Sequence, residues 1–419
     1  MRVLHISHRF LPRFFAGTEV YAAALARAQH ARGYAVQVFA GDSDAHTPET
    51  YVWEGLPVQT MPWGWGGRAD PVRTFLAGFG NPAAERRFAA ALTEFRPDVV
   101  HVHHLLGLSP RLPELARAAG ARVVITLHDF WFKCSNTWLY RYDEQVCPGP
   151  GTGYHCGGCA LQRLGRPPQP ALMAAAAPLF WARTARLRRA LRAAHRVIAP
   201  SRAVAEAFAD AGLAPGQLVI LPHGLSEDVV PAAAPPAPER RGVRFIFIGS
   251  LIRPKGAHIA VAAFAGLGQP GAELWIYGDL DADPAYTAEV RALAAPPGVV
   301  LGGRLARADV PAALRAADVF LLPALWREAH SIVVDEAWAA GRPVLVSAHT
   351  AAAERVLPEV NGLLAPPGDI AAWRAQMRRL GEEPGLLARL RAGVTAPKTL
   401  AAHVAEIERL YRQGVVSNG

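Results

Sequence analysis

The sequence predicts an α/β protein built from two doubly wound parallel-sheet domains, and three observations predict it. Apolar runs without a two-residue period recur along the chain, as at Val3 to Ser7 and Val319 to Leu322, and such runs form strands covered on both faces. Ala-rich helical stretches separate them, the alternation that builds parallel sheets. The alternation halts at a Pro- and Ala-rich stretch and then restarts, and 419 residues exceed what one hydrophobic core usually spans.

The elements follow in order. Val3 to Ser7 reads as the first strand, Pro12 to Gly17 as a loop, Thr18 onward as a helix closed by Gly33, and Val36 to Ala40 as the second strand. Asp98 to His103, Arg122 to Leu127 and His195 to Ala199 continue the set, with a helix near Pro113 to Ala119. Residues 1–230 are therefore assigned to an N-terminal domain and 231–241 to a linker without large apolar residues. In a second domain, 242–395, strands are expected at Val243 to Ile248, Leu274 to Tyr277, Val299 to Leu301, Val319 to Leu322 and Val344 to Ser347. The tail, 396–419, contains a last helix from Leu400 to Tyr411 that packs back across the domains. Open sheets of this kind bind ligands beyond the C-terminal ends of their strands, so a cleft between the two domains is expected to hold the substrate.

Composition narrows the function. Hydrophobic residues make up 51% of the chain, enough for two cores, so disorder is excluded as the main state. No apolar run reaches eighteen residues, and a cytoplasmic protein, peripheral at the inner face of the membrane, is expected. The net charge of +9 is local: residues 145–205 hold nine Arg and no Lys, Asp or Glu. That concentration argues against a nucleic-acid binder, because few aromatic residues interleave for base stacking. A dehydrogenase is disfavoured because no G-x-G-x-x-G follows the first strand of either domain.

The stretch Pro323 to Val346 carries the most chemistry. Seven residues separate Glu328 from Glu336, and Ser331 is placed to cap a helix from Ile332 to Ala340 that ends at Gly341. A loop carboxylate beside free helix amides suits sugar hydroxyls next to a phosphate. Two acids eight apart are commonplace as solvated charges, so their context decides. That context is a Glu, seven residues, a second Glu followed by Ala, then Ala340, Gly341, Pro343 and Val344.

This pattern resembles glycosyltransferase family 4, of the GT-B fold, over nearly the whole chain. The resemblance implies two Rossmann-like domains facing across a cleft, a nucleotide-sugar donor, retention of anomeric configuration and no catalytic metal. It implies that Glu328 contacts the transferred sugar and that Glu336 accepts hydrogen bonds from the ribose hydroxyls. In Ile248 to Gly256, Lys255 and Gly256 match the family's diphosphate-binding loop, whereas Ser250 stands where the family has Arg and Arg253 is the nearby substitute. A fixed cation there stabilises the departing diphosphate. Gly17 stands where a Gly-rich turn opens the first helix, with Ala16 in place of the usual second glycine. His128, at the end of a predicted strand, is expected to position the donor sugar, and Asp129 beside it is the less favoured nucleophile or base.

Two features stand outside that pattern. Cys134, Cys147, Cys156 and Cys159 fall within 26 residues and suit a structural zinc site that pins an insertion near 134–159. Disulfides, free thiols and an iron–sulfur cluster are the alternatives. Leu179, Phe180, Trp181, Leu187 and Leu191 interleave with the Arg-rich 163–196 region, which reads either as a basic amphipathic helix on an anionic membrane or as a solvated face. The expected activity is transfer to a glycan, glycolipid or lipid-linked acceptor, in cell-surface polysaccharide or glycoconjugate synthesis. A nucleotide-sugar epimerase of the same architecture, a zinc-containing nucleic-acid module and a non-catalytic binding protein are the alternative readings.

Overall fold

A computed structural model describes residues 1–63, 70–226, 242–294 and 297–413. They gather into two compact units, Met1–Gly224 with Leu400–Gly419, and Leu225–Thr399. The expected linker, 231–241, lies outside the described residues.

The first unit contains β1 (Arg2–Ser7), β2 (Ala35–Asp42), β3 (Thr50–Trp53), β4 (Leu56–Pro62), β5 (Val99–Val102), β6 (Arg122–Thr126), β7 (Arg196–Ala199) and β8 (Leu218–Ile220). They form one sheet in the order β3-β4-β2-β1-β5-β6-β7-β8. Only β3 runs antiparallel to its neighbour, β4. That edge hairpin turns at Glu54 and Gly55, both at positive φ, the geometry whose twist matches the flanking strands. Sequence reading missed it because its edge strand is half exposed and shows no buried run.

The second unit contains β9 (Arg244–Ile248), β10 (Glu273–Tyr277), β11 (Val299–Gly303), β12 (Val319–Leu322), β13 (Val344–Ser347) and β14 (Gly362–Ala365). Their order is β11-β10-β9-β12-β13-β14, and all adjacent pairs are parallel. Strand order therefore reverses between β9 and β12, as it does between β1 and β5 in the first sheet. Crevices open outside the strand C-termini at such reversals. The second core gathers Phe245, Phe247, Leu274, Leu321, Trp373 and Met377 around these strands.

The helix Leu400–Arg412 belongs to the first unit. Its Leu400, Val404, Ile407 and Tyr411 pack with Val3, Tyr21, Leu25, Val99, Val124 and Ile198. The Leu225 amide donates to the Lys398 carbonyl at 2.8 Å, so the chain enters and leaves the second unit at adjacent points.

The Arg-rich region forms the helix Pro170–Ala193. Phe180, Leu187 and Leu191 turn into the core, whereas Leu172, Leu179 and Trp181 stay exposed. The apolar face expected from sequence is thus divided, because a helix this long must first cover its own sheet. Arg183 is also buried, and Arg188 and Arg189 pair with Asp210 and Glu114. No helix among the described residues is long and apolar enough to cross a membrane.

Candidate active site

The loops after β9 and β12, on either side of the reversal in the second sheet, are joined directly. The Leu325 amide donates to the Pro254 carbonyl at 2.8 Å. Gly256 has a φ of +75°, and a Cβ there would lie 1.9 Å from the Pro323 carbonyl oxygen. Only glycine permits both that backbone angle and that approach. The approach delivers Lys255, in the short turn Arg253–Lys255, to the loop that carries Glu328.

There Lys255 Nζ donates to Glu328 Oε1 in an ion pair, with the ammonium 5.3 Å from the Trp326 ring centroid. Glu328 is buried, and its other oxygen, Oε2, lacks a hydrogen-bond partner among the described residues. Glu336, on the helix Ile332–Ala339, is buried as well and forms an ion pair with Arg307 through Oε1. Its Oε2 is likewise unpartnered among the described residues. Burial holds the Glu336 carboxyl above the ordinary carboxylate range, against the opposing pull of Arg307. Buried carboxylate oxygens almost always have donors, so two such oxygens on neighbouring loop and helix are an exception that calls for an explanation.

The segment between the two acids is braced by residues that sequence reading did not single out. His330 Nε2 lies 2.7 Å from Asp335 Oδ2, and Arg355 pairs with the other Asp335 oxygen. Burial opposes ionisation of Asp335, but His330 and Arg355 win and hold its carboxyl below the ordinary range. The Glu328 carbonyl accepts from the Ala351 amide at 3.2 Å. Ser331 occupies the N-cap position in an extended conformation, but its side chain makes no capping bond, contrary to expectation. The brace from Asp335, one turn into the helix, fixes this terminus instead.

Arg253 is not drawn to Glu328. It pairs with Glu289 and lies 5.6 Å over the Tyr286 ring. Ser250 is exposed. Arg307, the partner of Glu336, was missed because a lone Arg in Arg307–Asp309, a short turn 29 positions upstream of its acid, carries no pattern.

In the first unit, Gly17 is the first residue of the helix Gly17–Ala31, and its N-cap, Ala16, supplies no side-chain oxygen. His128 follows β6, half-buried, with Nε2 at 3.2 Å from His103 Nδ1 and its ring 4.8 Å from Tyr21 and 5.0 Å from His223. Asp129 is committed elsewhere: Oδ1 accepts from the Trp131 amide at 2.8 Å and Oδ2 lies 3.1 Å from His104 Nε2. The first of those bonds is the kind by which an Asp side chain stabilises a turn.

The four cysteines are free of disulfides. Burial pushes the Cys156 thiol up to about 12, aided by repulsion from Cys134, Cys147 and Cys159, and Cys159 up to about 11. The four thus share one neighbourhood. No three of their sulfurs lie within 4.8 Å of one another; among the described residues the one such group of potential ligands is His5, His101 and His103. Tetrahedral zinc, with bonds of about 2.3 Å, would require the thiols to draw closer.

Both halves of the chain match known families. Residues 15–229 match Glycosyltransferase Family 4, and residues 242–383 match Glycosyl transferases group 1. The chain belongs to glycosyltransferase family 4. It is 31% identical over 161 residues to the 2-deoxystreptamine glucosyltransferase of Streptomyces kanamyceticus, covering 37% of this chain and 41% of that one. It is 33% identical over 149 residues to the amylovoran biosynthesis glycosyltransferase AmsK of Erwinia amylovora, covering 33% of this chain and 36% of that one. The chain thus matches about two fifths of the length of these relatives. Sucrose-phosphate synthase from Thermosynechococcus elongatus superimposes with a TM-score of 0.75 at 20% identity over 98% of both chains. Anabaena HepE, solved with UDP and glucose, gives 0.67 at 18% identity, again over 98% of both. The fold is GT-B.

Proposed function

We propose that this protein is a retaining glycosyltransferase that moves a sugar from a nucleoside diphosphate to a glycan, glycolipid or lipid-linked acceptor in cell-surface polysaccharide or glycoconjugate synthesis. The observation that carries the reading is the pair of buried carboxylates, Glu328 and Glu336, each with one paired and one unpartnered oxygen beside the Lys255 loop. The UDP and glucose of HepE support a donor of that class.

In this reading Lys255 leaves Glu328 for the diphosphate and provides positive charge as the bond to the sugar breaks, the role a metal fills in other transferases. Glu328, released, accepts from the sugar hydroxyls, and Glu336 accepts from the ribose. Ser331 and the adjacent helix amides line the phosphate side. Gly17 offers a further uncapped amide, and His128 orients the sugar. Arg253 is given a donor role only by its loop, since Glu289 already holds it. Retention proceeds by same-face attack, with the leaving phosphate taking the acceptor proton. A screen of nucleotide sugars by calorimetry and slow hydrolysis tests the reading: wild type binds at least one donor and Glu336→Ala loses that affinity while remaining folded. Equal affinity in the variant would remove Glu336 from the site.

Peripheral contact with anionic membrane at the inner face is part of the proposal. Its support is the exposed Leu172, Leu179 and Trp181 among arginines, with Val72 and Leu76 exposed on Pro71–Ala77, a helix whose Phe75 ring packs against Phe180 with ring centroids 4.9 Å apart. Flotation with phosphatidylglycerol vesicles should capture the protein at low salt and release it at high salt. The cysteine cluster is proposed as a structural zinc site on the closeness of its four cysteines in the sequence, within 26 residues, and on the absence of disulfides among them; binding would draw the thiols together. Metal analysis of the purified protein, with melting temperature before and after chelation, tests that assignment.

A further inference from the structure

Three of the fully buried histidines of the first unit cluster at its sheet: His5 on β1, His101 on β5 and His103 just beyond it. His5 and His101 are register partners on adjacent strands, so they share a face of the sheet. Their potential ligand atoms lie within 4.8 Å of one another, which raises the question of a metal. The hydrogen bonds answer it. His5 Nε2 lies 2.9 Å from Gln29 Oε1, and His5 Nδ1 lies 2.9 Å from His103 Nε2. His103 Nδ1 then meets His128 Nε2 at 3.2 Å. His101 is bonded on both sides, to the Tyr411 hydroxyl at 2.5 Å and to Thr126 Oγ1 at 2.8 Å. All six ring nitrogens of the three buried histidines are already engaged, so the group is a hydrogen-bonded relay and not a ligand set.

The relay has a direction. Gln29 turns Oε1 to His5 and Nε2 to Tyr411, to which it donates at 3.3 Å. An amide oxygen only accepts, so His5 carries its proton on Nε2 and accepts at Nδ1. His103 must then donate from Nε2 and accept at Nδ1, and His128 must donate from Nε2. Burial holds His5 down to about 4 and His101 and His103 well below the ordinary range, so each ring is neutral at neutral pH and carries a single proton.

We propose that Gln29, His5 and His103 are positioning residues that fix the tautomer of His128, keeping its proton on Nε2 and its lone pair on Nδ1. A single amide thereby sets which nitrogen of His128 carries the proton. The purpose of that lone pair rests on the proposed role of His128 at the donor sugar, whereas the tautomer does not.

Long-range proton–nitrogen correlation spectra of 15N-histidine-labelled protein read the tautomer directly. His128 is expected to show one protonated nitrogen, Nε2, and one bare nitrogen, Nδ1, at pH 7.5. In Gln29→Met, which keeps the shape of the side chain and removes its polarity, the two His128 resonances should move toward a common average. An Nδ1–H tautomer in wild type, or an unmoved His128 in the folded variant, overturns the proposal; if the variant fails to fold, the wild-type spectrum alone decides. Added Zn2+ should leave His5, His101 and His103 unmoved, and a concerted shift of the three would also overturn it. Added UDP-glucose separates the two layers: a donor that binds without perturbing His128 removes the purpose and leaves the relay intact.

Discussion

Glu336 is a carboxylate held where its own charge is disfavoured. Burial raises its pKa in the folded state, so the folded form binds more protons than the unfolded one just above the ordinary carboxylate range. The stability this contributes is present below that range and lost as pH rises through the folded pKa. Glu336→Gln should therefore raise the melting temperature at pH 8 by about 2–4 °C while weakening donor binding, a trade common at active sites. Scanning calorimetry and titration with donor measure the two sides. Lys255→Ala should lower kcat about a hundredfold or more, read from initial rates at saturating donor. Of these residues, Lys255, Glu328 and Glu336 could be named as candidates because they match the family pattern, and the strand end and helix start on which that pattern sits are where the sequence reading put them. Arg307 was not, because its partner lies across a turn rather than along a helix. The buried histidines were hidden for a related reason: His5 and His101 interrupt apolar runs, and only the strand pairing shows that they share a face.

At the scale of elements, strands buried on both faces were readable, and the ten expected from apolar runs all form within a residue or two of their places. The missed strands lie near sheet edges or are only three or four residues long, such as β3, β8 and β14, where burial leaves little pattern. One joint between elements is especially exposed to substitution. Gly256→Ala forces a side chain against the Pro323 carbonyl at a backbone angle that L-residues resist, so it should destabilise the second unit by about 2–4 kcal/mol. Urea titration measures the stability, and loss of donor binding by the folded fraction would report displacement of Lys255. In the first unit, Ile407→Ala on Leu400–Arg412 removes a fully buried side chain and should cost about 2–5 kcal/mol, by the same titration.

For the whole molecule, two units with separate cores predict two unfolding events with different sensitivities. The unfolded chain protonates histidine near pH 6.5, whereas folded His5 resists until about 4. Stability of the first unit is therefore full above about pH 6.5 and falls as pH drops toward 4. A nucleoside diphosphate should raise the melting of the second unit selectively. Calorimetry at pH 5 and pH 7.5, with and without UDP, tests both expectations, and a UDP effect confined to the first unit would place the donor elsewhere.

The return of Leu400–Arg412 to the first unit also dictates an order of assembly. On a ribosome the β1–β8 sheet is made early, yet Val404, Ile407 and Tyr411, which cover part of that sheet, leave the exit tunnel only after residues 225–399 have been synthesised. Until then Val3, Val99, Val124 and Ile198 lack that cover, and the nascent chain presents a surface on which a holdase chaperone can act.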